Sequence, residues 1–332
     1  MAVRAQGGLW SAGMIERKVS EDLAGQRLDK FVRKLLREVP LSHVYKMFRT
    51  RKVRVNGKRA APEYLLQPSD TVTIRGDEDQ LLAARPEPPG RPMPRSREPL
   101  RILYEDEYMM AVDKAAGMAV HPGSGIDGGT LVDEVRAYLG PRAVRNDFAA
   151  SPAHRLDRDT SGVILVAKRR RAMVRFTEIF TEGSAHKSYL ALAKGAFSRP
   201  KDTIDVPLAE HEQTARSKSE RGRNMQPAVT HYAVRARGEL VSLLACTIET
   251  GRTHQIRRHL AAIGHPVAGD RRYGDFPFNR ELRSRFGLRR MFLHARRIEF
   301  AHPMTGQPMV IEAPLAEELS GVLERMGIEA PG

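Results

Sequence analysis

Six prolines between residues 76 and 100, in GDEDQLLAARPEPPGRPMPRSREPL, dictate how this chain can be partitioned. Each proline fixes its own φ and lacks a backbone N–H, and the stretch offers little that could form a core, so it predicts an extended, semi-rigid linker. A chain of 332 residues is also longer than one hydrophobic core usually serves. We therefore expect a small module at residues 14–75, the linker at 76–100 and a larger domain at 101–320, with an N-terminal extension at 1–13 and a C-terminal tail at 321–332.

The formal net charge is +15, with 55 Lys and Arg against 40 Asp and Glu. Such an excess favours polyanionic partners, either nucleic acid or an anionic membrane surface. The longest aliphatic runs, such as VILVA at residues 163–167, fall far short of the roughly 20 residues a membrane span needs, so the membrane reading drops out. Cys246 is the only cysteine, which excludes an internal disulfide and a thiolate zinc site and suits a reducing compartment. The first residues, MAVRAQGGLWSAGM, lack the apolar core of a secretory signal. A cytoplasmic protein is expected, with an organelle matrix as the alternative because that stretch carries no acidic residue.

Before the linker, GQRLDKFVRKLL spaces Leu28, Phe31, Val32, Leu35 and Leu36 as one helical stripe. SHVYKMFRTRK repeats the pattern with Val44, Met47 and Phe48, and Ser42 is the expected cap of this second helix. RKVRVNGKRA then sets Asn56 and Gly57 between alternating residues, a strong hairpin signal. Lys46, Arg49, Arg51, Lys52, Arg54, Lys58 and Arg59 fall on the second helix and this hairpin. Charge runs are commonly just solvated, but seven cations of one sign in a compact unit predict a surface for RNA phosphates. The segment, with GQRLDKFV, its second helix and VRVNGK, resembles the S4 RNA-binding domain.

After the linker, RILYEDEYMMAVDK, GVILVAKR, KSYLALAKG, LVSLLACTIET and RRIEF read as strands, and TLVDEVRAYL, RAMVRFTEIF and THQIRRHLAAIG as helices. The expected class is α+β, with a mixed, largely antiparallel sheet. Gly123, Gly125 and Gly128 satisfy GxGxxG, but they follow His121 and Pro122 rather than a long buried strand, and no βαβ array follows, so a dinucleotide site is set aside. His254, His259 and His265 are five and six residues apart, which does not place them on one helical face, so a metal centre is set aside as well.

The stretch HRLDRDTSG, residues 154–162, runs a dense set of charges into an aliphatic strand. Its Asp159, Thr160, Ser161 and Gly162 are turn formers, which puts the charges on a loop at a strand mouth, a place suited to mounting a reactive group on a rigid support. On composition alone, a surface ion-pair cluster of Arg155 and Asp157, worth at most about 1 kcal/mol, is the favoured reading.

HRLDRDTSG, KSYLALAKG at residues 187–195 and TGRTHQIRRHLAAIGHPVAGDRRYG at residues 250–274 together resemble, in order, the motif blocks of the RluA-type pseudouridine synthases. The likeness extends over residues 100–315, and an S4-like module ahead of it resembles the members acting on the large ribosomal subunit, type C first and type D next. It implies isomerisation of uridine inside large-subunit ribosomal RNA, by a monomer with no cofactor and no metal. Asp157 is implied as the catalytic carboxylate, Arg257 as its cation and Tyr189 as the active-site tyrosine that stacks on uracil. Arg155 is implied as the wedge that fills the gap left by the flipped base, while His154 and Thr160 shape the loop or touch phosphate. Arg216, Lys218, Arg221 and Arg223 read equally as a further RNA clamp or as a mobile surface loop. One departure is Arg258, where the family usually has a small apolar residue. A non-catalytic RNA-binding or ribosome-assembly protein is the competing reading; it explains the charge and leaves Asp157, Tyr189 and Arg257 coincidental.

Overall fold

The computed structural model describes residues 3–5, 8–11, 13–36, 39–76, 100–122, 128–145, 148–209 and 225–330. Its contacts divide into two compact units, one holding the elements up to residue 76 and a larger one holding most of those from residue 100 onward. Most of the proline-rich segment lies outside the described residues, as do Gly123, Gly125, Arg216, Lys218, Arg221 and Arg223.

The smaller unit is an antiparallel sheet in the order Val3–Ala5, Gly8–Ser11, Met14–Lys18, Thr71–Arg75, Val53–Val55, Lys58–Arg59. Helices Leu28–Leu35 and Leu41–Arg49 bury the two stripes read from the sequence, Leu28, Phe31 and Val32 on one and Val44, Met47 and Phe48 on the other, in a core with Ile15, Val53, Val72 and Ile74. Asn56 and Gly57 have φ of 50° and 75°, the doubly left-handed turn that a tight hairpin requires. Two expectations are corrected. Ser42 does not cap the second helix; Pro40 occupies that position with φ −54°, and its carbonyl already accepts the first helical N–H groups, leaving Ser42 exposed in the first turn. The N-terminal extension contributes two strands to the sheet, because pairing Gly8–Ser11 onto Met14–Lys18 and Val3–Ala5 onto Gly8–Ser11 satisfies backbone groups that an isolated tail would leave to water.

The larger unit is built on a ten-stranded sheet. Its main path runs Lys201–Asp205, Val229–Arg237, Val241–Ile248, His186–Lys194, Leu293–Ala301, Ser161–Ala167, Met109–Lys114, Ile102–Glu105, with Ser151–Pro152 and Pro308–Glu312 attached at its sides. The sheet is antiparallel except where Ser161–Ala167 meets Leu293–Ala301, a parallel contact confined to Ser161 opposite His294 and Gly162 opposite Ala295. Gly162 has φ +112°, and a Cβ there would lie 2.2 Å from the Ala295 carbonyl oxygen, so only glycine permits this approach. The helices expected near residues 130, 170 and 255 are present as Leu131–Leu139, Arg170–Thr181 and Gln255–Ala262. Two more, Phe276–Phe286 and Glu317–Arg325, close over the sheet. Leu319, Val322, Leu323 and Ile328 are buried with Leu243, Phe278 and Phe292. The expected C-terminal tail is therefore corrected to a core-forming helix that continues past residue 320. Among the described residues, no helix is long and apolar enough to cross a membrane.

Candidate active site

The loop that precedes strand Ser161–Ala167 is tied down from several sides. The ring of His154 accepts the Leu165 N–H at Nε2, 3.1 Å away, and the Thr160 N–H closes a turn onto the Asp157 carbonyl at 3.2 Å. Ser161 Oγ is held between His294 Nδ1 at 2.9 Å and Arg290 at 3.1 Å. Beneath the loop, Lys114 is only 1% exposed, and its Nζ donates to the carbonyls of Ala115, Met118 and Arg158 at 2.8, 2.9 and 3.0 Å. Burial pushes its ammonium down to about 7, while the charges of Asp159 and Asp157 oppose that shift. Three acceptors nevertheless match the three hydrogens that only the ammonium carries. Lys114→Met should leave the Ala115 and Met118 carbonyls without this donor and release the Arg158 carbonyl from one of its two. We expect a loss of about 3 kcal/mol, seen as a melting midpoint of the larger unit lowered by several degrees; a midpoint within a degree of wild type would contradict the tether.

Asp157 projects from this loop into an open cleft of about 280 Å³, whose walls include Arg155, Leu156, Thr160, Lys187, Tyr189, Ile248, His254, Ile256, Arg257 and Leu293. Arg257, on helix Gln255–Ala262, donates from Nη1 to Asp157 Oδ2 at 3.0 Å. Its other face forms a fork on Asp270, Nε to Oδ2 at 2.7 Å and Nη2 to Oδ1 at 3.0 Å. Tyr273 lies against the guanidinium, 5.0 Å from ring centroid to Cζ. Asp270 is fully buried; burial would push its carboxyl up, but Arg257 and the amides of Arg272 and Tyr273 hold it below the usual carboxylate range. Burial likewise opposes the charge on Arg257, and the two aspartates outweigh it and raise the guanidinium further. Asp157 Oδ2 is thus committed to a fixed cation. Its Oδ1 lies 3.8 Å from His254 Nε2, and that ring is oriented by Tyr273 Oη on Nδ1 at 2.8 Å.

Tyr189 stands on the central strand His186–Lys194, lines the cleft and is buried. Burial, reinforced by the charge of Asp157, pushes its phenol up, so it offers a neutral O–H. Arg155 is exposed at the mouth, and its guanidinium has no hydrogen bond or ion pair among the described residues. Thr160 is buried in the cleft wall. His154 shapes the loop and is no cationic phosphate contact, because burial, helped by nearby Lys187, pushes its imidazole down to about 3. Asp157, Tyr189, Arg155 and Arg257, the residues to which the family resemblance assigns roles, all line one cleft; it assigns none to Asp270, Tyr273 and Lys187, although GDRRYG and KSY stand inside the quoted blocks, and His254 enters the sequence reading only as a metal candidate set aside.

The three histidines set aside as a metal centre have separate occupations. His254 meets Tyr273, His259 bridges Thr230 and the Val206 carbonyl, and His265 meets the Lys194 carbonyl and stacks on Phe197. Arg258 turns aside to the carbonyls of Ala209 and Thr253 at 3.2 and 3.5 Å and so leaves Arg257 undisturbed. In the smaller unit, Lys46, Arg49, Arg51, Lys58 and Arg59 are exposed and Lys52 and Arg54 half-buried. Among the described residues, none of these seven cations is paired with a carboxylate.

Residues 108–262 match the family model described as RNA pseudouridylate synthase, and residues 26–72 match the S4 domain model. The chain is 40% identical over 322 residues to a ribosomal large subunit pseudouridine synthase C from Escherichia coli strain K12, covering 93% of this chain and 95% of that protein. A solved structure of human RNA pseudouridylate synthase domain containing 1 superposes with a TM-score of 0.55 at 27% identity, over 69% of this chain and 89% of that one. Human RNA pseudouridylate synthase domain containing 4, at 24% identity, shares the fold with a TM-score of 0.58 over 70% of this chain and 95% of its own.

Proposed function

The chain belongs to the RNA pseudouridylate synthase family, and from that premise we propose that it converts uridines of large-subunit ribosomal RNA to pseudouridine in the cleft that holds Asp157. The reaction breaks the bond between C1′ and N1, turns the uracil, joins C5 to C1′ and moves a proton from C5 to N1. The observation that carries the reading is the geometry of Asp157, which lines the cleft with one carboxylate oxygen fixed on Arg257 and the other not hydrogen-bonded to it. A carboxylate so held can serve at the ribose, either attacking C1′ or taking the 2′ proton. Tyr189 supplies a ring face for the detached uracil and a hydroxyl for proton transfer near C5. Leu156, Ile248, Ile256 and Leu293 exclude the water that would otherwise capture the sugar.

A uridine in folded RNA must leave its stack before it reaches Asp157. Arg155, exposed at the cleft mouth and without a protein partner among the described residues, takes the vacated position, with its planar guanidinium stacked on the neighbouring bases. The S4 domain anchors the RNA through phosphates. The relatives' name supports the substrate; action as a monomer, without a cofactor, where large subunits are assembled is part of the same proposal. A purely RNA-binding protein would leave the Asp157–Arg257–Asp270 chain without a use. Incubating the purified protein with an unmodified large-subunit ribosomal RNA transcript should produce pseudouridine at discrete positions, and a transcript left unmodified would reject the reading.

The anchoring role has its own expected result. Replacing Lys46, Arg49, Arg51 and Lys58 by serine should weaken binding to the transcript and flatten the dependence of log affinity on log salt by roughly 0.7 to 0.9 per phosphate contact removed. Titrations at several salt concentrations measure that slope, and an unchanged slope would mean the cations are merely solvated.

A further inference from the structure

We infer that Lys187 is the cleft's phosphate-binding residue, gripping a backbone phosphate that flanks the uridine undergoing isomerisation; this deepens the proposed function and rests on it. Four cations line the cleft: Arg155, Lys187, Arg252 and Arg257. Arg257 is held by two aspartates, Arg252 is exposed and bonded to the Pro227 carbonyl at 3.1 Å, and the Arg155 guanidinium stands exposed. Lys187 alone is half-buried while its Nζ has no hydrogen bond or ion pair among the described residues.

Its surroundings explain both facts. Across the sheet it faces Ile248 on one side and Ile298 on the other, neither of which can act as a counter-ion. Its Nζ lies 4.4 Å from the centroid of the Phe180 ring, whose face attracts a cation without supplying a hydrogen-bond acceptor. Burial pushes the ammonium down to about 8, with no carboxylate near enough to oppose the shift. A lysine stem normally carries its charge out to water. Here the charge stays inside a cleft that is incomplete until an anion arrives.

The position identifies the anion. Lys187 and Tyr189 are two apart on one strand, so both point to the same face, about 6.8 Å apart along it. A uracil stacked on Tyr189 brings its own sugar, and the phosphates that flank that sugar, to the level of Lys187. Those phosphates are the anions an RNA substrate necessarily carries into the cleft.

The test uses the full-length protein and a hairpin RNA reproducing one site that the wild-type enzyme modifies. Lys187→Met should raise KM roughly 10- to 100-fold, the loss of one charged hydrogen bond, with kcat within about threefold. Lys187→Arg should recover most of the difference, which a folding defect would not allow. A neutral methylphosphonate is then placed in turn at the phosphates on either side of the target uridine. At the contacted phosphate it should weaken the wild-type enzyme by the same factor and leave Lys187→Met without further loss. If the methylphosphonates weaken both proteins equally at both positions, or if Lys187→Met lowers kcat and spares KM, the phosphate assignment is overturned while turnover by wild type leaves the proposed function standing. A wild-type protein that modifies no ribosomal RNA at all overturns both.

Discussion

Asp157→Asn is expected to lower isomerisation by at least about 1,000-fold while RNA binding stays within a few-fold. Asparagine keeps the shape of the side chain and can still accept a hydrogen bond from Arg257 through its carbonyl oxygen, so the loop that carries residue 157 should remain in place. Its other contacts, the His154 ring on Leu165 and Lys114 on the Arg158 carbonyl, do not involve the carboxylate. What disappears is the negative charge and the basic oxygen facing the ribose. Affinity, which comes mainly from phosphates, has no reason to follow. Single-turnover assays with enzyme in excess, paired with filter binding, separate the two quantities. Substantial turnover by the folded variant would remove Asp157 from the chemistry.

Arg257→Met removes the cation from two carboxylates at once. Breaking a buried pair in this way typically costs about 3–5 kcal/mol, and activity should fall by at least about 100-fold as the aim of Asp157 is lost. Lysine at this position should rescue little, because a point charge cannot reproduce the fork on Asp270 together with the third bond to Asp157. Stability and catalysis can be told apart through Asp270. In wild type its carboxyl is held below the ordinary range, so its stabilising contribution is present above the unfolded carboxylate pKa and is lost as pH falls through the lower folded value. Without Arg257 the sign reverses: burial then favours protonation, and the stability deficit of Arg257→Met should shrink in acid. Adding Asp270→Asn to Arg257→Met should likewise restore much of the melting midpoint and none of the activity. Recovery of both together would mean that Arg257 supports the fold and does not position Asp157.

The parts of this protein written in local pattern are legible in its sequence alone. Leu28, Phe31 and Val32 repeat at helical spacing, Asn56-Gly57 demands a particular turn, and VILVA has the composition of a buried strand; in each case the deciding physics acts between residues a few positions apart. The parts decided at long range are not legible in this way. Lys114 meets Arg158 across 44 residues and Arg257 meets Asp270 across 13, and no spacing rule singles out either pair. The terminal helix Glu317–Arg325 is short and carries Gly321, so its apolar stripe is too weak to mark it until Leu243 and Phe292 are there to bury it. One helix start is written locally and yet is absent from the expected elements. In DFPF, Asp275 caps helix Phe276–Phe286 by accepting the Phe278 N–H at 2.9 Å, with proline in the first turn, a standard opening that the charged text around it obscures.

Whether this chain isomerises ribosomal uridines through Asp157 is decided by mapping pseudouridine across large-subunit ribosomal RNA from cells lacking the protein. Three strains suffice: the deletion, the deletion carrying the wild-type gene, and the deletion carrying Asp157→Asn at matched protein levels. A small set of large-subunit positions should lose pseudouridine in the deletion, regain it with wild type and stay unmodified with Asp157→Asn. A pseudouridine map unchanged by the deletion, or one restored in full by the Asp157→Asn protein, would contradict the proposed role of this chain and of its carboxylate.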